Sequence, residues 1–154
     1  MGIVYEDITL TNLFTNKSVN VRTMVDTGTT HMIVPANIAG ELGFDLDEVS
    51  SYRLRVADTR RIQCPCIGPI QITLGGRWYR TEAAVLGDEC LMGVIPLEAM
   101  DLVVDPKRQC VTPNPKHPDG PVFPAMGVRN IQADNEPFNH PQPSQPSQSY
   151  PKSA

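Results

Sequence analysis

Short segments in which apolar and polar residues alternate recur through the first 112 residues, and they limit the chain to a fold built mainly from strands. The Gly75-Gly76 pair adds a strong signal for a two-residue hairpin turn. Two short helices are expected, at 36–42 directly after Pro35 and at 96–100. The predicted strands cover residues 3–10, 19–25, 31–34, 51–57, 62–64, 69–74, 78–86 and 102–104. The sequence therefore predicts an all-β domain with one or two short helices.

The composition changes after Thr112. Ten of the 15 prolines lie between residues 113 and 151, interleaved with Asn, Gln and Ser, and no apolar period persists there. Such a segment cannot bury enough surface to offset its ordering entropy. We therefore expect one domain over residues 1–112 and a disordered tail over 113–154. The tract at 141–148 is expected to be a spacer, with docking on a groove as the alternative.

Charge and cysteine content exclude several classes of partner. The net charge is −4 with 19% charged residues, so no basic surface is available for nucleic acid or an anionic membrane. No signal peptide or run of about 20 apolar residues is visible, which makes the cytoplasm the expected compartment. Cys64 and Cys66 are too closely spaced for ordinary zinc ligands, so reduced structural thiols are expected and neither a metal nor a cofactor is predicted.

One apolar segment ends in a carboxylate that precedes a glycine. The stretch reads Met24-Val25-Asp26-Thr27-Gly28-Thr29-Thr30, with hydroxyl residues on both sides of the glycine. Glycine permits a tight turn and a close approach to the main chain, so Asp26 can be held on an exposed loop. An ordinary turn between two strands is the alternative reading of Asp-Thr-Gly alone.

The neighbouring segments favour a catalytic reading. Ile33-Val34-Pro35 follows the loop, and Leu91-Met92-Gly93 occurs much later. In this order and spacing, residues 3 to 112 resemble the retropepsin-like aspartic proteases, particularly their small bacterial members. The resemblance implies a small closed acid-protease barrel, an aspartic endopeptidase activity with Asp26 as the catalytic residue, and a peptide or protein substrate.

Amide hydrolysis by carboxyl groups needs two of them, one ionised and one protonated. Asp58-Thr59 is followed by Arg60, so the chain has one Asp-Thr-Gly, and the second carboxyl must come from an identical chain in a homodimer.

The resemblance also implies roles for the residues around Asp26. Thr27 would bridge the two-fold axis, and Gly28 would offer its N–H to the carboxylate. The Thr29 hydroxyl would donate to an oxygen of the ionised Asp26 carboxylate and so favour the charged form, and an acidic pH optimum is therefore predicted. Leu91, Met92 and Gly93 would pack behind the catalytic loop.

A second hairpin corresponds to the flap that covers the substrate in this family. Its tip comprises Val56, Ala57, Asp58, Thr59, Arg60 and Arg61. The absence of glycine there implies a stiffer hairpin or a different closing motion. Val94 also stands where many viral members have an arginine that braces the dimer.

Three further readings stay open. The chain is alternatively a catalytically silent dimerisation or peptide-binding module on the same fold. Self-processing is suggested by Phe123-Pro124 and Tyr150-Pro151, since some viral members cut aromatic-proline bonds. His31 is expected to be structural or exposed, because no serine or cysteine stands in a recognisable nucleophile elbow.

Overall fold

The computed structural model describes residues 2–129, and its compact unit extends to Phe123. Nine strands and two short helices follow one another in the described residues. They are β1 (Val4–Asn12), β2 (Ser18–Val25), β3 (Met32–Val34), α1 (Ala36–Glu41), β4 (Ser51–Arg55), β5 (Arg61–Leu74), β6 (Arg77–Val85), β7 (Cys90–Met92), α2 (Val94–Ala99), β8 (Leu102–Asp105) and β9 (Cys110–Pro113). Within this part of the chain, no helix is long and apolar enough to cross a membrane.

Six strands close into a barrel. The sheet runs in the order β1-β2-β7-β3-β6-β5-β4, and an additional pairing of β1 with β5 joins its ends into a ring that leaves β4 outside. Closure pairs the backbone groups that an open sheet would leave at its two edges. Strands β8 and β9 form a separate two-stranded sheet. The predicted all-β barrel with short helices is confirmed.

Alternating side chains of the barrel strands fill its interior. The β1 burial pattern alternates, with Ile8 and Leu10 buried and Thr9 between them half-buried. Burial of such side chains contributes about 25 cal/mol per Å² of apolar surface and holds the barrel together. The largest fully buried apolar side chains are Leu10, Met32, Leu42, Ile67, Ile70, Ile72, Met92 and Met100.

Turn chemistry agrees with the sequence at two positions. Gly75 and Gly76 both adopt positive φ, 57° and 79°, as a tight hairpin between β5 and β6 requires. Gly43 has a φ of 87° just after α1, a conformation that favours glycine at the end of a helix. Trp78 is exposed while Tyr79 packs against the core, so the two side chains lie on opposite faces of β6.

One strand assignment is wrong. Segments 62–64 and 69–74 were expected as separate strands, but β5 runs continuously over 14 residues from Arg61 to Leu74. Its pairing with β6 shifts register between Ile67 and Ile70. Such an irregularity bends a strand without ending it, so one strand forms both an arm of the β4–β5 hairpin and a wall of the barrel. Helix α2 also begins two residues earlier than expected, at Val94.

Residues beyond the expected boundary at Thr112 contact the barrel. Arg77 is buried, and its guanidinium donates to the carbonyls of Met100 at 3.1 Å, Asp101 at 2.8 Å and His117. The Asp101 carboxylate accepts hydrogen bonds from the Asn114 side chain at 3.0 Å and from the Val122 N–H at 3.1 Å. These contacts explain why the compact unit ends at Phe123.

The structure describes the expected tail only as far as residue 129. A second unit begins at Pro124, and its described residues, 124–129, contain a turn closed by a hydrogen bond from Val128 N to Ala125 O of 3.0 Å. The tract at 141–148 and the Tyr150-Pro151 bond lie outside the described residues. Disorder of the tail therefore stays a prediction there.

Candidate functional site

Asp26 lies directly after β2, where that strand runs parallel to β7. Val25 pairs with Met92, and the Asp26 N–H donates to the Met92 carbonyl at 3.0 Å. The chain then leaves the sheet as a loop and returns as β3, which pairs with the other side of β7. The carboxylate is thus carried on a loop whose two ends are both anchored to the same short strand.

Both oxygens of the Asp26 carboxylate have a donor within the loop. Oδ1 accepts the Gly28 N–H at 2.9 Å, and Oδ2 accepts the Thr29 hydroxyl at 2.7 Å. A Cβ at position 28 would lie 3.2 Å from Oδ1, so a larger residue would press on the carboxylate. Hydrogen bonds to an ionised carboxylate are stronger than those between neutral groups, and two of them orient the side chain.

The segment that begins at Gly93, directly after β7, is hydrogen-bonded to the second half of this loop. The N–H groups of Gly93, Val94 and Ile95 donate to the carbonyls of His31 at 3.0 Å, Thr29 at 2.8 Å and Thr30 at 3.0 Å. A Cβ at Gly93 would lie 2.5 Å from His31 O and 2.6 Å from Thr29 O, which are backbone atoms without freedom to rotate away. The close approach of the two segments therefore requires glycine at this position.

Thr27 is exposed at the tip of the loop, and Asp26 beside it is half-buried. Asp26 lines neither the open groove beside His31 and Tyr52 nor the one beside Phe14 and Phe44. A single copy thus presents its carboxylate without enclosing it.

The residues expected to form the flap, 56–61, lie at the tip of the β4–β5 hairpin. Val56 N donates to Arg60 O at 3.0 Å, and Thr59 N donates to Val56 O at 2.9 Å. Thr59 has a φ of 71°, a conformation that favours glycine and that here is adopted by a β-branched residue. The Asp58 carboxylate supports the turn by accepting the Arg60 N–H at 3.1 Å and its Nε–H at 2.6 Å.

A polar cluster at the base of this hairpin was not anticipated from the sequence. The Tyr52 hydroxyl on β4 donates to Glu82 Oε2 on β6 at 2.5 Å, and the Cys66 thiol lies 3.4 Å from the same oxygen. His31 stacks on Tyr52, with ring centroids 6.2 Å apart. Tyr52 and Glu82 are 30 residues apart on strands with the same alternating pattern as the others, so no local signal marks the contact.

The pKa values of two side chains in the cluster, Tyr52 and Cys66, are raised. The hydrogen bond to the Glu82 carboxylate, with smaller contributions from burial and Cys66, raises the pKa of Tyr52 well above its usual range. Burial raises the pKa of the Cys66 thiol to about 11. Both groups are therefore protonated at neutral pH and serve as hydrogen-bond donors.

Metal-ligating side chains do not converge in the part of the chain described. No group of three or more His, Cys, Asp or Glu residues there could hold a metal ion. Cys64, Cys66 and Cys90 are buried free thiols and Cys110 is a half-buried one.

Two of the solved structures that match this fold come from Leishmania major and Rickettsia conorii. The retroviral protease-like domain of Ddi1 from Leishmania major superposes with a TM-score of 0.54 at 19% identity, covering 83% of this chain and 99% of that domain. A retropepsin-like aspartic protease from Rickettsia conorii gives a TM-score of 0.48 at 22% identity, covering 68% and 90% of the two chains. The first likeness establishes the fold.

Sequence comparison identifies the family. Among curated proteins none matches this chain. The family model described as aspartyl protease matches residues 13–97, which is more than half of the chain and includes the Asp26 loop and Gly93. The chain belongs to the aspartyl protease family and has a retropepsin-like fold.

Proposed function

We propose that this protein is an aspartic endopeptidase that acts as a homodimer, with Asp26 of each copy contributing one carboxyl group. The observation that carries the proposal is the Asp26 carboxylate itself, held at 2.9 Å by Gly28 N–H and at 2.7 Å by the Thr29 hydroxyl. A carboxylate held by two hydrogen bonds is already oriented before the reaction, which lowers the entropic cost of reaching the transition state. The substrate is a peptide or protein in an extended conformation.

The need for a dimer follows from the two proton transfers of the first step, which require one ionised and one protonated carboxyl group. One ionised Asp26 takes a proton from a water molecule as the water oxygen bonds to the carbonyl carbon of the substrate. The partner's Asp26, protonated, gives its proton to the carbonyl oxygen. The first Asp26, now protonated, then gives its proton to the nitrogen while the partner's Asp26 takes a hydroxyl proton from the tetrahedral diol. The C–N bond breaks, both carboxyl groups return to their starting states, and each cleavage consumes one water. A lone carboxyl group cannot hold both protonation states at once.

The exposure of the loop supports self-association at this site. Thr27 is exposed and Asp26 is only half-buried in a single copy. A second identical loop would cover both residues and bring the carboxyl groups together around a two-fold axis. The β4–β5 hairpin of each copy would then close over the substrate.

The proposal is tested with the Asp26→Asn variant. The wild-type protein should cleave denatured protein and a peptide library at pH 4–6, and Asp26→Asn should lose this activity while remaining dimeric in sedimentation equilibrium. Asp119→Asn is the matched control, because Asp119 also precedes a glycine but is exposed and follows no strand. It should retain full activity.

Two results would overturn the proposal. Cleavage that survives in Asp26→Asn would assign the chemistry elsewhere. A wild-type dimer that cleaves nothing between pH 3 and 8 would favour the catalytically silent module, for which the strained, glycine-free tip at Thr59 is the supporting observation.

A further inference from the structure

An open groove of about 420 Å³ lies between the β4–β5 hairpin and the segment that follows the Asp26 loop. Its lining includes His31, Tyr52, Tyr79, Glu82 and Ile95. His31 is two residues beyond Thr29, whose hydroxyl binds Asp26, and two extended residues span about 7 Å. The groove therefore opens close to the carboxylate without including it.

The position of the groove is fixed by the backbone of the catalytic loop. The His31 carbonyl accepts the Gly93 N–H at 3.0 Å, and Ile95 N donates to the Thr30 carbonyl at 3.0 Å. A substrate strand lying across Asp26 advances about 3.3 Å per residue. A side chain two or three residues from the cleaved bond is consequently at the right distance to enter the groove.

The groove combines aromatic rings with an oriented carboxylate. Glu82 Oε2 accepts the Tyr52 hydroxyl at 2.5 Å, and the Cys66 thiol lies 3.4 Å away. His31 stacks on Tyr52, and Tyr79 contributes another ring to the lining. In the described residues, no lysine, arginine or histidine forms a salt bridge with Glu82. Its charge is thus available to a ligand.

The one arginine of the groove is engaged elsewhere. Arg80 places its guanidinium carbon 4.9 Å from the centroid of the Trp78 ring, and its Nε donates to Gln71 Oε1 at 3.2 Å. This contact draws the positive charge of Arg80 toward Trp78. Glu82 is the acidic side chain of the groove lining, and it lies against Tyr52.

We propose that this groove is a specificity subsite for a lysine or arginine side chain of the substrate, with Glu82 as the residue that selects the cation. The rings of His31, Tyr52 and Tyr79 would contact the aliphatic stem and the cation, and Glu82 would accept its N–H groups. The Tyr52 hydroxyl is a positioning group, because it orients Glu82. This inference rests on the proposed function and adds the substrate class to it.

Paired peptides test the subsite. Two series carry lysine or norleucine, which has the same four-carbon stem without the ammonium group, two or three residues from the cleaved bond, and kcat/KM is measured for each. Wild-type protein should prefer lysine by about tenfold, the usual effect of one hydrogen bond to a charged group. Glu82→Gln should bring the lysine-to-norleucine ratio near one, and Glu82→Lys should bring it below one.

A matched control is Glu89→Gln, because Glu89 is exposed and does not line the groove. It should keep the wild-type ratio. Tyr52→Phe should lower the ratio part of the way, and circular dichroism of each variant verifies folding. A ratio of one in an active wild-type enzyme, or an unchanged ratio in Glu82→Gln, would refute the subsite.

A binding measurement separates this inference from the proposed function. Fluorescence anisotropy with the Asp26→Asn dimer compares the same lysine and norleucine peptides without cleavage. Tighter binding of lysine peptides that is lost in Asp26→Asn/Glu82→Gln supports the subsite even if no substrate is ever cleaved. Equal binding of both peptides contradicts the subsite and leaves the assignment of Asp26 to be judged by its own test.

Discussion

Gly93 offers the sharpest test of how the catalytic loop is held. In Gly93→Ala the new Cβ would lie 2.5 Å from His31 O and 2.6 Å from Thr29 O, far inside van der Waals contact. Both atoms belong to the backbone, so the two segments must separate. Overpacking of this kind costs about 1–3 kcal/mol, and each weakened backbone hydrogen bond adds about 1 kcal/mol.

The expected destabilisation is therefore about 3 kcal/mol, or a fall in Tm of about 10 °C for a domain of this size. Urea unfolding followed by circular dichroism measures the free energy of unfolding directly. Since the hydrogen bonds from Gly93, Val94 and Ile95 hold the segment Thr29–His31, peptide cleavage should be lost as well.

Gly40→Ala is the matched control. Gly40 lies in α1, and a Cβ there would meet no atom within 4 Å. Alanine in a helix is favoured over glycine by about 0.5–1 kcal/mol, so this variant should be slightly more stable than wild type. A Gly93→Ala protein within 0.5 kcal/mol of wild type in the same assay would refute the argument that close packing demands glycine.

Two further predictions concern a hydroxyl and a carboxylate. Thr29→Val removes the donor 2.7 Å from Asp26 Oδ2 and should lower kcat/KM about 10- to 100-fold. Thr29→Ser keeps the hydroxyl and should retain most of the activity. Equal loss of kcat/KM in both variants would contradict the role of the hydroxyl. The Asn114 hydrogen bond, followed by the Val122 N–H and His117, lowers the pKa of Asp101 from its ordinary 3.8. The ionised carboxylate thus stabilises the fold above about pH 4, and this contribution is lost as the pH falls through the lower pKa of the folded state. In urea unfolding from pH 6 to pH 2, Asp101→Asn should lose less stability than wild type, and parallel curves would count against the assignment.

Local signals were sufficient for most of the barrel. Alternation in β1 and β2 reports which face of a strand is buried, and that follows from the period of two residues alone. Gly75 and Gly76 specify their turn because the positive φ that it needs is accessible to glycine. The Asp26 loop was likewise evident, because the strand end, the carboxylate and the glycine are adjacent in sequence.

Contacts between distant segments could not be predicted in this way. The bend that makes β5 one strand, the docking of Asn114 and Val122 on Asp101, and the Tyr52–Glu82 hydrogen bond each depend on how strands are ordered in the sheet. An isolated tyrosine or glutamate on an alternating strand carries no signal of its partner. The expected boundary at Thr112 missed the contacts through Val122 for the same reason.

The sequence by itself determined the strand-forming class, the tight turns and the carboxylate at the end of β2, because each arises from neighbours within a few residues. Only the tertiary structure decided that Gly93 must lie against Thr29 and His31, and that Tyr52 meets Glu82 beside the catalytic loop. The order of the strands in the sheet brings together segments that are 30 or more residues apart, and packing in three dimensions selects their partners.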